Sequence, residues 1–350
     1  MTSIAAELSA RYSPFADWAS FLDPAAIAKN QPTGWWQSPE IIKGARSEGK
    51  LRLSGLHIAL EPGHIGGAWA EWEGRNFRMA EDDYWVREGE LVLEVALRAA
   101  AILERLGAEV SLLRTSSHPV NPKKPADYWD AAAKEFAAPS QVSLSAQFSH
   151  ALAVRDQAIR MAIITGELAE RARLVNESIR PDALISLHIN AAPWSEVQPR
   201  QLVDSDHAHV LIFGCLLASE LAVTRQRERL IEKMTNGSGP IEVYLGDAMG
   251  EALADATGLP PSDYSGDNAV RLEGTSAYLW ARNLMLLRLV DCPAVMLEPY
   301  IANSRTSYPR IQEALRARAH HEPLPEEDIL IEYADAVVQG LLRAYGGEPR

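Results

Sequence analysis

Cysteine is nearly absent from this 350-residue sequence: only Cys215 and Cys292 occur, too few and too far apart for a disulfide scaffold or a thiolate metal cage. Long apolar runs are missing as well. Even the stretch from Leu91 to Leu106 carries Glu94, Arg98, Glu104 and Arg105, so no segment offers the roughly 18–20 apolar residues of a membrane span. Positive charge is in deficit, with 34 basic against 47 acidic residues and a net charge of −13. A phosphate backbone or an anionic membrane surface is repelled on average, which argues against nucleic acid as the main partner. The opening residues MTSIAAELSARYSPFADW have no basic region followed by an uninterrupted apolar core, so no secretory signal is visible and a cytoplasmic location stays open. What remains, 47% apolar and 23% charged residues without an internal repeat, is the composition of an ordinary globular chain.

Residues 1–50 scatter Pro14, Pro24, Pro32 and Pro39 among short apolar patches and the pair Trp35 and Trp36, the pattern of an irregular extension wrapped on a body. From 51 to 350 the pattern predicts one α/β domain. LHIAL reads as a buried strand, EPGHIGG as a Gly-rich loop, Glu88 to Leu106 as a helix ended by Gly107, and AEVSLLR as the next strand. Leu91, Val92, Val95, Ala96, Ala99, Ala100 and Leu103 fall on one stripe of that helix, the spacing for packing on a sheet. Further strands are predicted at ALISLH, HAHVLIF and AVMLE, and helices over about 151–179, 216–234, 246–256 and 326–345. This alternation predicts a twisted, mostly parallel or mixed sheet with helices on both faces, interrupted by insertions at about 115–170 and 215–240.

Three predicted strands end in a polar residue that a buried strand does not need: His64 just beyond LHIAL, His188 closing ALISLH and Glu298 closing AVMLE. The carboxyl ends of strands in open α/β sheets converge on the ligand crevice, so residues distant in sequence can meet there. Glu88 opens the long helix, where the helix dipole already favours a carboxylate. Each has a plain structural alternative as a hydrogen-bonding or capping residue. Together, two histidines and a glutamate make a three-ligand zinc site with an open fourth position.

In order, these residues sit in words that resemble the zinc-dependent N-acetylmuramoyl-L-alanine amidases of the amidase-3 type. EPGHIGG at 61–67 is similar to the family's opening loop, EGELVLEVA at 88–96 to its Glu-led helix, and GAEVSLLRT at 107–115 to the strand that follows. ISLHIN at 185–190 matches the second histidine word, and NLMLLR followed by PAVMLEPYIAN matches the closing segment. The resemblance implies that His64, Glu88 and His188 bind one zinc ion and that Glu298 is the catalytic carboxylate. It further implies hydrolysis of the amide between N-acetylmuramic acid and L-alanine in peptidoglycan, in the cell envelope, periplasm or outside the cell. Asn190 and Arg288 match family words and are candidates for orienting substrate or ligands. Glu61, where the family usually has Asp, and Trp194 are candidates of the same kind. Trp69, Trp72, Trp85 and Trp194 could stack on sugar rings or simply pack insertions onto the body.

Two other outcomes stay open on the sequence: a zinc peptidase or amidase for a different amide, and a catalytically silent wall-binding relative. The segment 215–240 stands where some cell-division amidases carry a helix that covers the site until a regulatory protein displaces it. Glu220, Glu228 and Glu232 could then reach the open metal position. The plainer expectation is an amphipathic surface helix with Leu216, Leu217, Leu221 and Leu230 packed inward.

Overall fold

The computed structural model describes residues 3–29, 34–47, 49–136, 143–194 and 199–346. Pro32 of the extension and residues 137–142 of the first insertion lie outside these. Among the described residues nine strands form: β1 His57–Pro62, β2 Asn76–Phe77, β3 Val86–Arg87, β4 Glu109–Leu112, β5 Ala183–Leu187, β6 Ala208–Phe213, β7 Val270–Arg271, β8 Leu279–Arg282 and β9 Ala294–Pro299. Seven build one sheet in the order β4-β1-β5-β9-β6-β8-β7, while β2 and β3 pair as a short antiparallel ribbon. The half from β4 to β9 is parallel; β6 joins β9 antiparallel, β8 runs parallel to β6, and β7 closes the edge antiparallel. The sheet is therefore mixed, as the strand pattern predicts.

Side chains alternate between the two faces, and each face has its own core. Ile58, Leu60, Ile185, Leu187, Val295 and Leu297 point to the first, covered by helices Glu88–Arg105, Ser238–Thr257 and Ile329–Tyr345. The predicted stripe of helix Glu88–Arg105 is the buried one, from Leu91 to Leu103. Ala59, Leu184, Leu211, Ala294 and Met296 point to the second face, under residues of the N-terminal segment, Ala172, Val175, Leu221 and Leu230. Among the described residues no helix is long and apolar enough to cross a membrane.

The N-terminal segment is tied to the body by polar bonds. Buried Arg11 donates to the carbonyls of Phe213 and Gly239 and pairs with Glu242, which also accepts from Lys233 at 2.6 Å. Arg46 donates to the carbonyls of Tyr345 and Gly346.

Three expectations differ from the structure. The single helix over 216–234 is two helices, Ala218–Leu221 and Thr224–Thr235, with Glu220 accepting from the backbone N–H of Leu217. The helix expected at 246–256 begins eight residues earlier, at Ser238. Gly237 takes the left-handed conformation (φ 83°) and Asn236 accepts from the N–H of Ser238, so NGSG is a tight corner between helices rather than a long break. Strand β8 was not expected, because LWAR is four residues long and shows no clean alternation.

Candidate functional site

The second face changes character at one end. Glu61 on β1, Ser186 on β5 and Glu298 on β9 continue the rows that begin with Ala59, Leu184 and Met296, and His209 on β6 pairs in register with Glu298. His188 follows β5 directly, and His64 lies two residues beyond β1. His64 holds a left-handed backbone (φ 54°), a conformation that side-chain-bearing residues rarely adopt and that clusters at functional sites. Gly63 lets this loop pass the second histidine: a Cβ there would lie 2.4 Å from the His188 ring. Gly89 does the same on the helix side, where a Cβ would lie 2.5 Å from the carbonyl oxygen of Ile65.

Two buried arginines fix the loop through its carbonyls. Arg114 donates to Pro62, Gly63 and Gly89, the last at 2.7 Å. Arg171 donates to Pro62 at 3.0 Å and to His64 at 2.7 Å, forms an ion pair with Glu61, and reaches Glu167 at 2.8 Å. Glu61 in turn accepts from Ser186. Its role in the structure is to anchor Arg171, with both oxygens engaged, although it lines the cavity.

His64, Glu88 and His188 meet, with one ligand atom of each within 4.8 Å of the others, a group that could hold a metal ion. Glu88 lies between the imidazoles, 3.4 Å from His64 Nε2 and 3.0 Å from His188 Nδ1. Burial pushes the Glu88 carboxyl up, but the two histidines outweigh it and hold the group below its ordinary value. Burial alone would lower His188, and Glu88 raises it instead. On the far side of His64, Glu73 accepts from the backbone N–H of Ile65 at 2.7 Å and sits 3.3 Å from Nδ1.

Glu298 faces the same cavity. Its Oε2 is 3.0 Å from His209 Nε2, and the hydroxyl of Tyr264 is 3.0 Å from that same nitrogen. Burial raises the Glu298 carboxyl; His209, His188 and Arg282 overcome that and bring it to about 2. His209 is fully buried, and its Nδ1 has no hydrogen-bond partner among the described residues.

The cavity has a volume of about 340 Å³. Five carboxylates (Glu61, Glu73, Glu88, Glu167 and Glu298) and three guanidiniums (Arg75, Arg171 and Arg282) line it, so the wall carries a formal excess of two negative charges. A divalent cation between His64, Glu88 and His188 would balance this excess. The donor set, the charge and the Gly63 close approach all fit a metal of the zinc type.

Of the other sequence candidates, Asn190 lines the cavity, with its side-chain oxygen accepting from the N–H of Ala191. Arg288 does not line it: the guanidinium turns to Asn283, and the cation that this part of the chain places in the wall is Arg282. Trp194 stands outside, edge-on to Phe77, in an adjoining hollow of about 240 Å³ that shares Arg75, Glu88 and Ile189 with the cavity. Trp69 packs with Ile65 and Ile163, whereas Trp72 and Trp85 are exposed.

No residue of 215–240 lines the cavity. Leu216, Leu221 and Leu230 are buried in the core of the second face, and Glu232 pairs with Arg229. The wall is formed instead by Ile163, Ile164, Glu167 and Leu168 of the preceding helical run and by Leu284, Met285 and Leu286. Sequence reasoning passed over Glu73, Arg171, His209, Tyr264 and Arg282, of which all but His209 carried no signal of a site. For His209 the signal was available, since a histidine inside the apolar run HVLIF asks for a partner.

No family model and no curated protein matches the sequence. Solved structures do. The N-acetylmuramyl-L-alanine amidase Ami1 of Mycobacterium smegmatis matches with TM-score 0.47 and 19% identity, covering 84% of this chain and 99% of that one. AmiC2 of Nostoc punctiforme matches at 0.40 and 17%, covering 83% and 97%. The CwlD amidase of Clostridioides difficile, solved in complex with the GerS lipoprotein, matches at 0.44 and 12%, covering 84% and 100%. All three are amidases.

Proposed function

We propose that the chain is a zinc-dependent amidase that hydrolyses the bond between N-acetylmuramic acid and L-alanine in peptidoglycan or muropeptides, acting in the cell envelope. The observation that carries this reading is the convergence of His64, Glu88 and His188 with Glu298 around one cavity. A zinc ion held by the first three would supply a Lewis acid that polarises the scissile carbonyl and lowers the pKa of water from 15.7 to about 7.

The chain's own residues do the rest. Glu298, ionised at neutral pH, takes a proton from the attacking water and gives it to the departing amine, a role that typically contributes about 100 to 10,000-fold. His209 aims the carboxylate by holding Oε2, leaving Oε1 for the reacting atoms. Glu73 orients His64, the carboxylate-to-histidine support common behind metal ligands. Ile163, Ile164 and Leu168 exclude water from one side of the cavity. Segment 215–240 contributes no residue to the cavity wall, so a regulatory protein acting through it as a cover is not part of this reading.

Metal analysis of the purified protein, coupled to mass spectrometry of peptidoglycan after digestion, tests the reading. One zinc per chain and release of intact stem peptides beginning with L-alanine is the expected result. Release of fragments cut inside the peptide would reassign the enzyme to another amide.

A further inference from the structure

The charged groups of the cavity wall are not equally occupied. Glu61 and Glu167 are taken up by Arg171, Glu73 by Ile65 and His64, Glu88 by the two histidines, and Glu298 by His209. Arg171 spends its nitrogens on Glu61, Glu167 and two carbonyls. Arg75 and Arg282 are different: neither pairs with a carboxylate among the described residues, and Arg282 is the one on the β8 side. The Arg282 guanidinium lies 5.7 Å from the centre of the Tyr264 ring and engages the Tyr264 hydroxyl.

Its place in the sheet is also informative. Strand order runs from β1 and β5, which carry the histidines, through β9 with Glu298, then β6, to β8 with Arg282. Arg282 pairs with Phe213, four residues along β6 from the partner of Glu298. On strand geometry its backbone is therefore roughly 16 Å from that of Glu298, two strands across and four residues along. Met296 and Leu286 line the cavity with both groups. Glu298 thus stands between the metal-ligand triad and Arg282.

We propose that Arg282 is a specificity-determining residue that binds a free carboxylate on the amine half of the substrate. The inference rests on the amidase reading in one respect: Glu298 hands its proton to the leaving amine, so that half of the substrate lies on the Glu298 side, toward β8. A peptide advances about 3.3–3.6 Å per residue, so a carboxylate on the second residue beyond the cleaved bond, carried toward β8, comes within reach of the Arg282 side chain in the cavity wall. A guanidinium without a carboxylate partner in a partly apolar wall is a planar two-pronged donor that binds a carboxylate more strongly than a neutral amide. The substrate class is a muramoyl peptide whose second residue keeps its carboxylate free.

The test compares N-acetylmuramoyl-L-alanyl-D-glutamate with its D-isoglutamine counterpart, using the zinc-loaded full chain. A wild-type kcat/KM at least tenfold higher for the acid, falling to within about twofold in Arg282→Gln and partly restored in Arg282→Lys, is the expected result. Equal use of both substrates by the wild type, or an unchanged ratio in Arg282→Gln, overturns the assignment. Calorimetric binding of L-alanyl-D-glutamate against L-alanyl-D-isoglutamine separates this from failure of the amidase reading. If neither muramoyl substrate is cleaved, tenfold tighter acid binding that is lost in Arg282→Gln still supports the carboxylate site, and no difference in binding removes it. A thermal transition within a few degrees of wild type shows that each variant is folded.

Discussion

His209 and Glu298 face each other across the antiparallel β6–β9 pair, with Nε2 3.0 Å from Oε2. Nε2 donates to the carboxylate, and Nδ1 has no partner among the described residues.

His209→Phe removes that donor. The Glu298 carboxyl, about 2 in the wild type against an ordinary 4.5, then rises as burial regains control. A depressed carboxyl stabilises the fold above its unfolded value and loses that contribution as pH falls from about 4.5 to about 2. The variant should lack this extra acid-range stability, and the acid limb of its kcat/KM profile should move to higher pH. An acid limb at the wild-type position would separate His209 from Glu298 function.

Substitutions in the triad and at Glu298 should part cleanly. His64→Ala and His188→Ala are expected to lose bound zinc, measured by atomic emission on dialysed protein. Glu298→Gln should retain the metal while turnover falls by two or more orders of magnitude, on the scale of about 100 to 10,000-fold for proton transfer. Full zinc content in either histidine variant contradicts the assignment.

Glu73→Gln keeps an acceptor for the N–H of Ile65 but weakens the support behind His64 Nδ1. Zinc affinity in competition with a chelator should drop about 10 to 100-fold, the usual effect of removing such support, with little change in thermal stability. Wild-type affinity would reduce Glu73 to a loop anchor.

Arg171→Met should act on folding before chemistry. It leaves Glu61 and Glu167 buried without their cation and frees the carbonyls of Pro62 and His64. Breaking a buried pair by removing one partner typically costs about 3–5 kcal/mol, readable in urea unfolding at neutral pH. A loss below about 1 kcal/mol would mean that water reaches these carboxylates.

The sequence by itself determined the strand and helix alternation and the buried stripe of helix Glu88–Arg105, because periodicity is a local property; strand ends, a helix start and family-like words pointed to His64, Glu88, His188 and Glu298, which the fold brings to one cavity. Its reach stopped where partners are far apart along the chain. Glu73 behind His64, Arg171 between Glu61 and Glu167, and His209 behind Glu298 depend on register and on which face a side chain takes, and β6 runs against β9 in a way no local pattern prescribes. The segment that walls the cavity was likewise decided by packing. Leu221 and Leu230 bury in the second-face core and carry 215–240 away from the site, while Ile163, Ile164 and Leu168 come over it. Arg288 and Arg282 show the same limit: the motif pointed to the first, but the direction of a strand and the reach of a side chain put the second in the cavity wall.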